Sequence, residues 1–180
     1  MRAIHSGLTG LLLLVSTNTA TMANAEESAS SKEEARTFFA SVSGAWTCAG
    51  QFADGRPLVA DLRFTPIMEG NAVVYEHTDK DKTTFQSVGM WSYDDRLSAP
   101  VFLRFSGKQG TQRSSAAMFI GGDVTDSSLV FTADDLAGPP WKPNRFLWEL
   151  SDDDVLKMTW EVEKDGQMSF GDRISCERSG

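Results

Sequence analysis

The chain is poor in the residues from which the commonest catalytic and metal sites are made. It has two cysteines and two histidines in 180 residues. No G-x-S-x-G stretch occurs to place a nucleophilic serine, and a Ser-His-Asp arrangement would have to take its base from His77. Gly107-x-x-Gly110 is too degenerate for a phosphate-cradling loop. Asp152-Asp153-Asp154 lacks the glycine and the twelfth-position glutamate of a calcium loop, and reads as a polar hairpin turn. Basic charge is scarce: 17 Lys and Arg against 25 Asp and Glu leave a net charge of −8, which speaks against nucleic acid and anionic membrane as partners. The longest apolar run, Gly7 to Val15, is too short to span a bilayer. No convincing helical period follows residue 43, and there is no internal repeat or linker.

What is present begins with a leader. Arg2, the apolar run to Val15 and Ala23-Asn24-Ala25 together predict a secretory signal peptide over residues 1–25. Cleavage there leaves residues 26–180, or 155 residues, one domain by length with enough chain for a single substantial core. It removes Arg2 and His5, so the net charge becomes 16 minus 25, or −9, and His77 is the remaining histidine. No cysteine stands directly after the cleavage site, where Glu26 is found, so no lipid anchor is expected. The expectation is a periplasmic or secreted protein with no membrane insertion after signal cleavage, in a compartment where a Cys48–Cys176 disulfide persists.

Residues 26–43 divide into a flexible lead-in over Glu26 to Lys32 and a short amphipathic helix over Glu33 to Val42, where Ala35, Phe38, Phe39 and Val42 share helical spacing. Residues 44–180 form the main domain. Turn chemistry breaks it about every dozen residues, at Asp54-Gly55, Glu69-Gly70-Asn71, Asp94 to Pro100, Asp165-Gly166 and others. The pattern predicts ten strands, near 45–53, 57–66, 71–78, 83–93, 100–106, 111–120, 128–133, 144–150, 155–163 and 167–178. Period-two parity puts Leu58, Ala60, Leu62 and Phe64 on one inward set. Others are Val73, Tyr75 and His77; Phe85 to Tyr93 at alternate positions; Phe146, Trp148 and Leu150; and Leu156, Met158, Trp160 and Val162. Cys48 lies in the first strand and Cys176 in the last, so their disulfide joins the strands that an up-and-down barrel must pair to close. The fold class is all-β: a single antiparallel up-and-down barrel of about ten strands with a short N-terminal helix.

Gly44-x-Trp46 on the first strand, followed by an antiparallel meander ending in an arginine, resembles the calycin superfamily of lipocalins and fatty-acid-binding proteins. The order of blocks is similar to bacterial lipocalin-like exported proteins of unknown function of the DUF1579 type: Trp46-x-Cys48-x-Gly50, Phe64-Thr65-Pro66 to Glu69-Gly70, Trp91-Ser92-Tyr93-Asp94, and Trp160-Glu161-Val162 to Asp172-Arg173. The resemblance covers residues 44–178 and implies a small barrel with an interior cavity, without a defined activity. Nitrobindin-like haem binders, a related barrel class, carry an axial histidine near the C-terminal end; this chain has none there, and no cofactor is expected. Lipocalins also close the barrel base with a tryptophan under an arginine. If Cys48 faces Cys176 across antiparallel strands, paired positions sum to 224 and Trp46 faces Arg178, a cation–π contact worth roughly 0.5–2 kcal/mol. Closing so long a loop contributes at most about 5 kcal/mol.

A strict meander sends alternate turns to opposite ends. The base receives mainly acidic turns, and the other end, the mouth, receives Arg56, Lys80, Lys82, Lys108, Arg113, Lys142, Arg145 and Lys164. A mouth of this kind suits a small hydrophobic or amphipathic ligand, including an anionic one. Its candidate contacts are Leu58, Tyr75, His77, Phe85, Phe105, Arg113, Trp141, Phe146, Trp160 and Phe170. Trp141, set among Pro139, Pro140 and Pro143, serves equally as a lid, a plug or a protein-contact surface. Three readings stay open: ligand carriage, a filled barrel acting as an envelope interaction module with a protein partner, and a small enzyme using acid–base groups such as Tyr75, His77 and Arg113. His77-x-Asp79-x-Asp81 has metal-ligand spacing, which turn aspartates explain equally well, and no metal is expected.

Overall fold

The computed structural model describes residues 18–80, 85–110, 114–133 and 143–179, with side chains from Ala29 onward. Helix α1 (Asn18–Val42) precedes ten strands: β1 (Gly44–Phe52), β2 (Pro57–Ile67), β3 (Ala72–Asp79), β4 (Phe85–Asp94), β5 (Ala99–Lys108), β6 (Ser114–Thr125), β7 (Ser128–Ala133), β8 (Asn144–Leu150), β9 (Leu156–Lys164) and β10 (Gln167–Arg178). Each strand pairs antiparallel with its sequence neighbour, and β1 pairs with β10 to close the barrel. Closure leaves no sheet edge open to pairing with another chain. No described helix is long and apolar enough to cross a membrane.

The register is set by side chains that can face only one way. In β2, Leu58, Ala60, Leu62 and Phe64 are buried while Val59, Arg63 and Thr65 are exposed, so one face of the pleat points inward. Cys48 and Cys176 are directly opposed with Cα atoms 4.0 Å apart and are joined as a disulfide. From that pair Trp46 falls opposite Arg178, whose guanidinium sits 4.3 Å from the ring centroid, as the closing-strand arithmetic requires.

Helix α1 seals the base. Ala35, Phe38, Phe39 and Val42 are fully buried, and each phenylalanine contributes about 1.5–3 kcal/mol by leaving water. The last turn of the helix has carbonyls without helical partners, and the barrel supplies donors for them. Trp46 Nε1 donates to Val42 O at 2.8 Å, and Arg178 donates from Nη1 to Ser43 O at 2.7 Å and from Nη2 to Ser41 O at 2.6 Å. Arg178 Nε also donates to Asp154 at 2.5 Å, so one residue ties helix, first strand, last strand and a base turn together. The helix extends further than its apolar spacing predicts. Glu26 to Lys32, expected as a flexible lead-in, lies within it: its three serines each cost a helix only a fraction of a kcal/mol (about 0.5) relative to alanine, which a helix already docked through its last turns tolerates.

Two strands depart from plain alternation. In β10 the register shifts between Phe170 and Asp172, leaving Gly171 as the extra residue of a bulge. A side chain on Gly171 would collide with the Trp160 ring, whose Cε3 lies 2.4 Å from where its Cβ would stand. In β6 the shift falls between Gly121 and Val124.

Candidate functional site

The lower interior is a continuous aromatic floor built from alternate residues of β1 to β8. Trp91 is fully buried at its centre, with the rings of Phe38, Phe39, Phe64, Tyr75, Phe102, Phe131 and Trp148 at centroid distances of 4.9–6.4 Å. Gly89 makes room for one of them: a Cβ there would lie 2.6 Å from Phe102 Cε2. Among the described residues the floor holds no charged group, although Trp91 Nε1 and Trp148 Nε1 are buried there without a hydrogen-bond partner.

Above it the chemistry changes within one residue. Tyr75 stacks on Trp91 through its ring, while its hydroxyl lies 3.0 Å from His77 Nδ1. His77 Nε2 lies 2.7 Å from Asp79 Oδ1. The three residues alternate along β3, all face inward, and all are buried. A carboxylate on Nε2 favours the tautomer with a proton there, which leaves Nδ1 to accept from the Tyr75 hydroxyl. Burial pushes the Tyr75 hydroxyl well above its usual pKa, with the Arg104 charge opposing this, so the phenol stays protonated and donating.

Two further charged groups enter from across the barrel. Arg104 points inward from β5, its guanidinium 4.9 Å from the Phe146 ring and 5.6 Å from the Phe119 ring. Burial lowers its pKa, partly offset by Tyr75 and Asp172. Asp172 points inward from β10, opposite Trp160. Burial raises its carboxyl to about 6, with His77 pulling it down and Asp79 pushing it up. Arg104 Nε, Asp172 Oδ1 and Ser87 Oγ are buried polar atoms without a hydrogen-bond partner. Natural proteins leave few such atoms, because each lost partner costs about 1–3 kcal/mol. Ser106 and Ser115 bond each other at 3.0 Å, and Trp160 Nε1 donates to Asn144 Oδ1 at 3.1 Å, which completes a polar tier.

Leu58, Tyr75, His77, Phe85, Phe146 and Trp160 lie on inward positions, and the Phe85 ring packs edge-on against His77 at 5.5 Å. Two expected contacts are corrected. Phe105 is 58% exposed on the outer face, because the inner face of β5 belongs to Phe102, Arg104 and Ser106 and the neighbouring odd positions must face out. Phe170 also faces outward, beside Glu161 and under Arg173, because the bulge at Gly171 reverses the parity that runs back from Cys176 through Ile174 and Asp172. Arg113 and Trp141 lie outside the described residues, as does Asp81 of the metal-spaced triplet. Among the described residues no group of three or more His, Cys, Asp or Glu is placed to hold a metal ion.

Of the basic mouth residues, Arg56 pairs with Asp54 at 2.7 Å, Lys80 with Asp61 at 2.7 Å and Arg145 with Glu161 at 2.6 Å, so these charges are engaged on the outer surface. Beside His77, the interior receives three charged groups, Arg104, Asp172 and Asp79, that are not among the ligand contacts expected from the sequence. A signal for Asp172 existed: stepping back by twos from Cys176 places it inward.

A concavity of about 520 Å³ lies on the outer side of the barrel, across β1 to β3, lined by Thr47, Asp61, Arg63, Glu76 and Thr78 among others. Its Asp61 and Lys80 pair with each other at 2.7 Å, and it has none of the interior tier's unpartnered groups. The interior is therefore the candidate site. No known family model and no curated protein matches the chain.

Proposed function

We propose that this protein binds a small amphipathic molecule inside the barrel, between the aromatic floor and the polar tier. The observation that carries the reading is the set of buried, unpartnered polar atoms facing the interior, Arg104 Nε, Asp172 Oδ1 and Ser87 Oγ, above a surface made of rings. A folded chain with no ligand would lose stability by keeping them so; a ligand that pairs with them regains it. Export to a periplasm or beyond, directed by residues 1–25, fits a carrier of this kind and is supported by the Cys48–Cys176 disulfide, which survives in an oxidising compartment.

Native mass spectrometry of the protein purified from its own compartment, followed by organic extraction, tests the reading. A stoichiometric apolar or amphipathic molecule is the expected result. A clean apo mass, with no change in tryptophan fluorescence across a panel of alkyl amphiphiles, overturns it. A second reading, a protein-interaction module, is favoured by the outer face of β4 and β5, where Val88 opposes Phe105 and where Val88, Leu103 and Phe105 are 47%, 40% and 58% exposed. Co-purification of a protein partner that Phe105→Ser abolishes would support that reading instead.

A further inference from the structure

Two atoms in the polar tier specify more than an apolar ligand with a wet end. Arg104 Nε is a donor without an acceptor, and Asp172 Oδ1 is an acceptor without a donor. The Arg104 guanidinium lies 4.9 Å from the Phe146 ring, Phe146 pairs with Trp160 and Trp160 with Asp172, so the two side chains enter the interior at one level, yet these two atoms do not bond one another. Among the described residues the tier already holds two carboxylates, Asp172 and Asp79, beside Arg104, with His77 bonded to Asp79. An added carboxylate ion would bring an uncompensated negative charge into a desolvated place, which is costly. A neutral group with an acceptor and a donor on neighbouring atoms satisfies both orphans and changes no charge.

Resting on the reading that the barrel interior takes a ligand, we propose that Arg104 and Asp172 form a headgroup site for neutral carboxamides. The amide oxygen accepts from Arg104 Nε, the amide N–H donates to Asp172 Oδ1, and the apolar remainder of the ligand lies against Phe85, Phe146 and Trp160. Ser87 Oγ lies on the same inward tier, opposite His77 and Ser106, and is available to the headgroup's remaining lone pair or hydrogen. Selectivity follows from the penalty for leaving either buried atom unpaired, which is what lets a hydrogen-bonding site reject an analogue that lacks one group.

The test uses the full chain after any natural processing, at pH 7.5, with three probes of matched tail: octanamide, N,N-dimethyloctanamide and octanoate. Binding is followed by titration calorimetry and tryptophan fluorescence. Octanamide is expected to bind at least tenfold more tightly than the other two, since the dimethyl amide lacks the donor and octanoate carries the extra charge. Asp172→Leu is expected to bring octanamide down to the level of the dimethyl amide. The probe series on the unaltered protein decides the matter even if that variant fails to fold. Octanamide binding no better than N,N-dimethyloctanamide, or octanoate binding as well as octanamide, overturns the headgroup assignment and leaves carriage standing. Binding of none of the three overturns carriage itself, and the headgroup site with it.

Discussion

The two halves of the barrel interior are made from the same strands and obey opposite rules. In the floor, Trp91, Phe64, Phe102 and Trp148 are almost completely buried, and every neighbour is a ring or an aliphatic group. In the upper tier, two residues further along the same strands, the inward positions are His77, Asp79, Ser87, Arg104, Ser106 and Asp172. The floor gains stability from its apolar burial, against which stand the two unpartnered indole N–H groups of Trp91 and Trp148. The tier gives some back, because it desolvates charges and leaves polar atoms unpaired. Tyr75, with its ring in the floor and its hydroxyl in the tier, marks the boundary.

The contrast can be broken from the floor first. Trp91→Ala removes the ring at the centre of the cluster and is expected to cost about 3–5 kcal/mol, read as a fall in chemical-denaturation midpoint with little change in slope. Asp172→Asn should act in the other direction. The folded pKa of Asp172 is raised from the ordinary 3.8 to about 6, so its contribution to stability is fully present below the lower value and is lost as pH rises through the higher one. At pH 8 the variant is therefore expected to be more stable than the parent by roughly 2–3 kcal/mol, and at pH 3.5 the two should converge. A variant less stable than the parent at pH 8 would show that the Asp172 charge is compensated within the folded protein.

Arg178→Ala sharpens the picture at the base, where polar groups are satisfied. It removes the Trp46 stack, two bonds to helix-end carbonyls and the Asp154 pair, and is expected to cost about 1–2 kcal/mol. It should also speed hydrogen exchange in the last turn of α1 before the strands are affected. The smallest effect is reserved for an exposed base turn. Bonds from Arg96 hold the Asp94 carboxyl at about 2, below its usual value, so its contribution is present above pH 3.8 and fades as pH falls through about 2. Asp94→Asn should leave stability at pH 7 close to the parent's and reduce only the loss on acidification, since solvent screens this pair.

Much of the barrel is legible without coordinates. Two cysteines at the ends of a meander fix which strands close it, and the same pair fixes the register by which Trp46 meets Arg178. Alternation identifies Tyr75, His77, Phe146 and Trp160 as inward because their strands run without interruption. Parity alone misplaces Phe105 and Phe170, for two different reasons. β5 carries apolar residues on both faces, with Phe102 inside and Phe105 outside, so hydrophobicity alone does not choose the parity. In β10 a bulge resets parity part-way, and a glycine in a strand marks such a place without saying on which side the count changes.

The sequence by itself determined the fold class, the closing disulfide, the ten-strand order and the helix that seals the base, because all follow from local patterning and from one covalent constraint. The candidate site takes shape only in three dimensions. Arg104 and Asp172 stand 68 positions apart, the difference between their residue numbers, on strands that are not neighbours in the sheet. Only the curvature of a closed barrel turns both toward one small volume, where burial shifts their ionisation and leaves one atom of each without a partner.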